Sequence, residues 1–157
     1  MATPLGTYIH DHLAGAQFAV KLLEDLQAQA DDVRTKALAR ELLSDIEADR
    51  KVLQDFATRI GEESSTAKEA AAWIVQKLSR VKLAPGDKLG AFEAVETLCL
   101  GILGKLSLWN ALETLRETDP RIAELGLASL AERARQQHAK IEKLRLALAP
   151  TVLHADA

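Results

Sequence analysis

The residues of this chain that could do chemistry are the polar ones that interrupt otherwise apolar helical faces. Stepping 100° per residue from Leu38, Asp49 falls near the centre of an apolar stripe and Asp45 one turn earlier on the same side. Further along, Glu96 sits on the shoulder of an apolar face and Asn110 near its centre. Arg145 lies on the next such face with His138 on its shoulder, and His12 is close to the inward side of the first. A carboxylate taken out of water needs a cation, hydrogen-bond donors or a proton. Two chemistries follow. In one, Asp45 or Asp49 is bridged to an Arg or His of a neighbouring helix, so that Asp45, Asp49, Glu96, His138, Arg145 and His12 form a buried polar network that fixes helix register. In the other, His12, Asp45, Asp49, Glu96 and His138 form a metal site, since carboxylates and imidazole suit iron, manganese or zinc.

Other reactive types carry less. Cys99 lies on an apolar face with nothing nearby in sequence to depress its pKa, and reads as core. His10 and His12 stand two residues apart and point about 160° away from each other, so they do not share a metal. Gly101 and Gly104 suggest close helix approach. Trp73 and Trp109 are core or interface anchors in a chain with only three Phe. Lys68, Lys77, Arg80, Lys82 and Lys88 form a basic run that reads as a solvated face, with docking of an acidic partner as the alternative.

Five helical segments position these residues. Ile9, Leu13, Ala16, Val20 and Leu23 recur at three- and four-residue steps, which predicts a helix over about 5–28. A second, about 32–60, starts at Asp31-Asp32, carries Leu38, Leu42, Ile46, Leu53 and Phe56, and stops at Gly61. Thr66 and Glu69 have capping-box spacing and open a shorter segment, about 66–82. Asp87 caps a fourth, about 88–117, which is apolar on most sides and reads as the most buried. Thr118-Asp119-Pro120 restarts the chain into a fifth, about 121–149, ended by Pro150 with a frayed tail over 150–157.

Composition agrees with helix. Ala supplies 27 residues and Leu 26, against 14 for Val and Ile together, which argues against a β-rich fold. The 157 residues suit one domain. A net charge of −3 gives no basic footprint for nucleic acid. One cysteine excludes an internal disulfide framework, and no apolar run reaches the roughly 18 residues of a membrane span. Met1-Ala2-Thr3-Pro4-Leu5 lacks a charged, then apolar, secretory pattern, so the expected setting is cytoplasmic.

Two long helices, a crossover and two more long helices, with Asp11-His12-Leu13-Ala14-Gly15-Ala16-Gln17 on the first, resemble the ferritin-like superfamily, closest to its degenerate bacterial members. The resemblance implies an all-α, ferritin-like four-helix bundle with an additional short crossover helix between long helices 2 and 3. It also implies a di-iron set in which two helices give Glu and two give Glu-x-x-His. This chain has no Glu-x-x-His. Glu47-Ala48-Asp49-Arg50 and Glu132-Arg133-Ala134-Arg135 place Arg where the His would be, and a guanidinium has no lone pair to offer a metal. Glu47 and Glu132 themselves fall opposite the apolar stripes.

Topology decides whether the remaining ligands meet. At about 1.5 Å per residue, His12 and Asp49 lie roughly 10 and 16 Å from the end where the first helix begins. An up-down-up-down order brings Glu96 and His138 to roughly 14 and 16 Å, whereas the up-down-down-up order moves them to roughly 31 and 25 Å. The sequence therefore points to a non-catalytic structural or interaction protein without a cofactor, expected as a homodimer. The alternatives are a metal-dependent oxidase or iron-handling protein using iron or manganese, and a carrier of an apolar ligand in a cavity between helices.

Overall fold

A computed structural model of the chain describes residues 3–62, 72, 76 and 83–154, and every regular element among them is a helix. The four long ones are α1 (Pro4–Gln29), α2 (Val33–Arg59), α3 (Lys88–Glu113) and α5 (Leu127–Leu153); α4 (Pro120–Ala123) is a single turn between the last two. Of the expected crossover segment over 66–82, Ala72 and Gln76 are helical and the rest, with Trp73 and the basic run up to Lys82, lies outside the described residues.

Local chemistry sets the helix starts. Thr3 Oγ1 accepts from the Gly6 amide at 3.0 Å, with Pro4 in the first turn. Asp32 accepts from the Thr35 amide at 2.8 Å and Asp87 from the Gly90 amide at 2.8 Å. Each bond satisfies one amide that the first helical turn leaves without a partner. Gly61, at φ +77°, turns the chain out of α2 in a conformation that a side chain would strain.

Burial then fixes the order of the helices. One core cluster joins Ile9 at the start of α1 to Phe56 late in α2, Leu108, Trp109 and Leu112 late in α3, and Leu130 and Ala134 early in α5. The other joins Leu23 and Leu26 late in α1 to Leu42 early in α2, Val95 and Leu98 early in α3, and Ile141 and Leu144 late in α5. Such pairing requires α1 and α5 to run one way and α2 and α3 the other, an up-down-down-up order. Ion pairs agree: Glu41 of α2 meets Lys140 of α5, and Arg59 at the end of α2 meets Glu124, before α5, at 3.0 Å. Each fully buried Leu, Ile or Phe of these clusters contributes about 1.5–3 kcal/mol.

Four expectations need correcting. The helix beginning at Lys88 ends at Glu113, not near 117. Thr114 and Thr118 turn their hydroxyls back onto the carbonyls of Ala111 and Leu115, at 2.7 and 3.1 Å, and compete with the helical bonds. The segment from Arg121 is broken at Glu124–Gly126 rather than continuous, because Leu125 tucks into the core and Gly126 opens α5. Pro150 does not stop α5, which runs to Leu153; the carbonyl that loses its partner belongs to Leu146, which is exposed. Finally, α3 is not buried all round. Leu89, Leu100 and Leu103 are exposed, and so is Asn110, because among the described residues the helix packs mainly on α5 and less on α1.

Candidate functional site

Asp49 is the one carboxylate among the described residues that is fully buried, at 1% exposure. Its Oδ2 accepts from Lys105 Nζ of α3 at 2.6 Å and from Gln137 Nε2 of α5 at 3.3 Å, and its Oδ1 accepts from Arg133 of α5. Lys105 also donates to the Gln137 amide oxygen, which closes a ring across three helices. Burial lowers the Lys105 pKa, and the attraction of Asp49 only partly offsets it. Arg133 Nε is buried without a hydrogen-bond partner, so the cluster sets one carboxylate against two cations and is not fully satisfied.

The remaining sequence candidates do not join this cluster. Glu96 is exposed rather than buried, and binds Arg145 at 3.1 Å. Arg145 in turn grips Glu142 through Nε at 2.7 Å and a second guanidinium nitrogen at 2.8 Å. That grip holds the Glu142 carboxyl down to about 2. The Cys99 thiol donates to Glu142 at 3.6 Å, and burial together with this carboxylate pushes it up to about 12, so it stays protonated near neutrality. His138 is half-buried and influences Glu142 through charge. Asp45 is half-buried and acts on Lys105 and Lys140 in the same way. The polar set is thus two separate clusters, one at mid-height around Asp49 and one nearer the start of α3 around Arg145. The up-down-down-up order causes the separation.

The alternative metal set of His12, Asp45, Asp49, Glu96 and His138 is therefore not brought to one point. Among the described residues no three His, Cys, Asp or Glu side chains stand together as a metal would need. The donor chemistry at mid-height does not fit a cation either: Asp49 already faces one ammonium and one guanidinium, which a metal would have to displace.

Beside the Asp49 cluster, α1, α2 and α3 part to leave a cleft of about 320 Å³. Phe18, Leu22, Ile46, Leu98 and Ile102 line one end, Leu53, Leu108 and Trp109 line the other, and His12, Asp49, Arg50 and Lys105 stand between them. His12 packs edge-on against Tyr8 with ring centroids 4.7 Å apart, and burial lowers its pKa, which favours the neutral imidazole. The Trp109 side chain closes the wall, with its buried indole N–H making no hydrogen bond.

Two glycines keep this cleft wide. Gly15 of α1 and Gly101 of α3 both line it, and a Cβ built on either would touch nothing within 4 Å. Close helix approach does not explain Gly101, nor Gly104, where a Cβ would likewise touch nothing within 4 Å. Glycine inside a helix costs about 0.5–1 kcal/mol relative to alanine. At Gly15 and Gly101 no close packing offsets that cost, and the gain is empty volume.

Sequence reasoning missed Lys105, Arg133 and Gln137 as partners of Asp49, and Gly15 as a cleft residue. The available signal was charge balance: a carboxylate on an apolar stripe requires cations on facing helices, and Lys105 sits between Ile102 and Leu108. Comparison with known proteins adds no relative: no family model, curated protein or solved structure matches the chain.

Proposed function

We propose that this protein is a non-catalytic, ferritin-like helical bundle that works by binding, and that the cleft between α1, α2 and α3 holds a small apolar ligand. The observation that carries the proposal is the pair of helix-interior glycines facing open space in an apolar cleft of about 320 Å³. That volume reaches the lower end of the roughly 300–1,000 Å³ range of ligand sites. The up-down-down-up order supports the ferritin-like reading, with the Asp49–Lys105–Arg133 cluster standing at mid-height where the ferritin-like resemblance would put a metal site. A cytoplasmic setting suits the single reduced Cys99.

An engineered dry cavity of about 150 Å³ accepts benzene, so this cleft has room for roughly a dozen non-hydrogen atoms. Decan-1-ol is a probe of that size. Calorimetric titration should give saturable one-to-one binding with Kd below about 100 μM. Gly101→Leu, which puts a side chain into the opening, should abolish binding while the thermal midpoint is held or raised. No saturable binding to the wild type, or equal binding to Gly101→Leu, overturns the proposal.

A further inference from the structure

The charge in the cleft is concentrated at mid-height. Phe18, Leu22 and Ile102 towards one end offer a ligand apolar surface, whereas Arg50, Lys105 and Asp49 bring charge to the middle. Among those three, one carboxylate faces two cations, and the lining is left with one net positive charge.

Arg50 is the cation of the lining that meets no carboxylate among the described residues. Lys105 and Arg133 both engage Asp49, whose two oxygens take three donors in all. The Arg50 guanidinium instead donates to the side-chain oxygen of Gln17, a neutral partner, and no carboxylate pairs with it among the described residues. Arg50 is half-buried at the cleft wall. A guanidinium has five N–H donors in a planar fork, and a carboxylate matches that fork with two parallel bonds. A half-desolvated cation with most of its donors unspent is the group for which an incoming anion offers the largest gain.

We propose that the ligand is a carboxylic acid with an unbranched chain of about ten carbons, its carboxylate held by Arg50 at mid-height and its chain laid toward Phe18 and Leu22. This inference rests on the cleft being a binding site, and it adds the head group and the polarity of the chain. Lys105 and His12 line the same middle part of the cleft and complete the head-group surroundings. Asp49 repels the anion less than its own charge suggests, because Lys105 and Arg133 already neutralise it.

The test compares decanoate with decan-1-ol at pH 7.5 by calorimetric titration, using wild type and Arg50→Met, with folding of the variant checked by its thermal midpoint. Decanoate should bind wild type at least tenfold more tightly than decan-1-ol. Arg50→Met should bring decanoate to the affinity of the alcohol and leave the alcohol unchanged. If the alcohol binds wild type as tightly as decanoate, or if Arg50→Met leaves decanoate unaffected, the head-group assignment is wrong while the apolar site stands. If neither probe binds, both fail. The wild-type comparison stands even if Arg50→Met does not fold.

Discussion

Single residues divide here into those that hold the protein together and those that leave space. Asp49 is the clearest of the first kind. Removing one partner of a buried ion pair strands the other and costs about 3–5 kcal/mol, whereas replacing both by apolar groups is often nearly neutral. Arg133, with a side chain 39% exposed, can swing to water, but Lys105, at 14%, cannot. Asp49→Ala should therefore lower the free energy of urea unfolding by about 3–5 kcal/mol, and the double variant Asp49→Leu/Lys105→Met should recover most of it. A loss below about 1 kcal/mol for Asp49→Ala would show that the cluster carries no such coupling. Asp49 was legible in the sequence because a carboxylate on the stripe of Leu42, Ile46 and Leu53 is an anomaly by itself. Its partners were not, because period and spacing within one helix say nothing about which residue of another helix arrives opposite.

At the scale of elements, α3 and α5 are joined by the Glu96–Arg145–Glu142 chain. The Arg145 guanidinium holds Glu142 at about 2, below its ordinary value of 4.5. A carboxyl depressed in the folded state stabilises it fully above the unfolded value and loses that contribution as protons bind on the way down. The thermal midpoint of wild type should thus fall more steeply between pH 4.5 and 2.5 than that of Glu142→Gln, with both curves flat from pH 6 to 7. Parallel curves below pH 4.5 would show that the Arg145 contact adds nothing to folding. The long helices and their starts at Asp32 and Asp87 could be read from caps and apolar period. The break at Gly126 and the run through Pro150 could not, since each depends on tertiary placement: Leu125 enters the core, and the carbonyl released by Pro150 belongs to an exposed residue.

For the molecule as a whole, direction of travel matters more than composition. The same four faces in an up-down-up-down order would have stacked His12, Asp49, Glu96 and His138 in one layer. With α2 and α3 running the same way, the two polar clusters separate, Asp49 is left to Lys105 and Arg133, and the space beside them is apolar. That order was open in the sequence, because helix period fixes faces but not the direction in which a crossover returns the chain. The cleft was equally illegible: Gly15 and Gly101 announce themselves only once the helices around them leave their open space unfilled.

The occupancy of that cleft is measured most directly by amide and indole ¹H–¹⁵N spectra of labelled protein during addition of decan-1-ol. Binding between α1, α2 and α3 predicts saturable shifts concentrated at the Gly15 and Gly101 amides and the Trp109 indole, with Ala149 and Thr151 near the far end of α5 unmoved. Shifts absent at saturating alcohol, or spread over the exposed leucines and never levelling off, would contradict it.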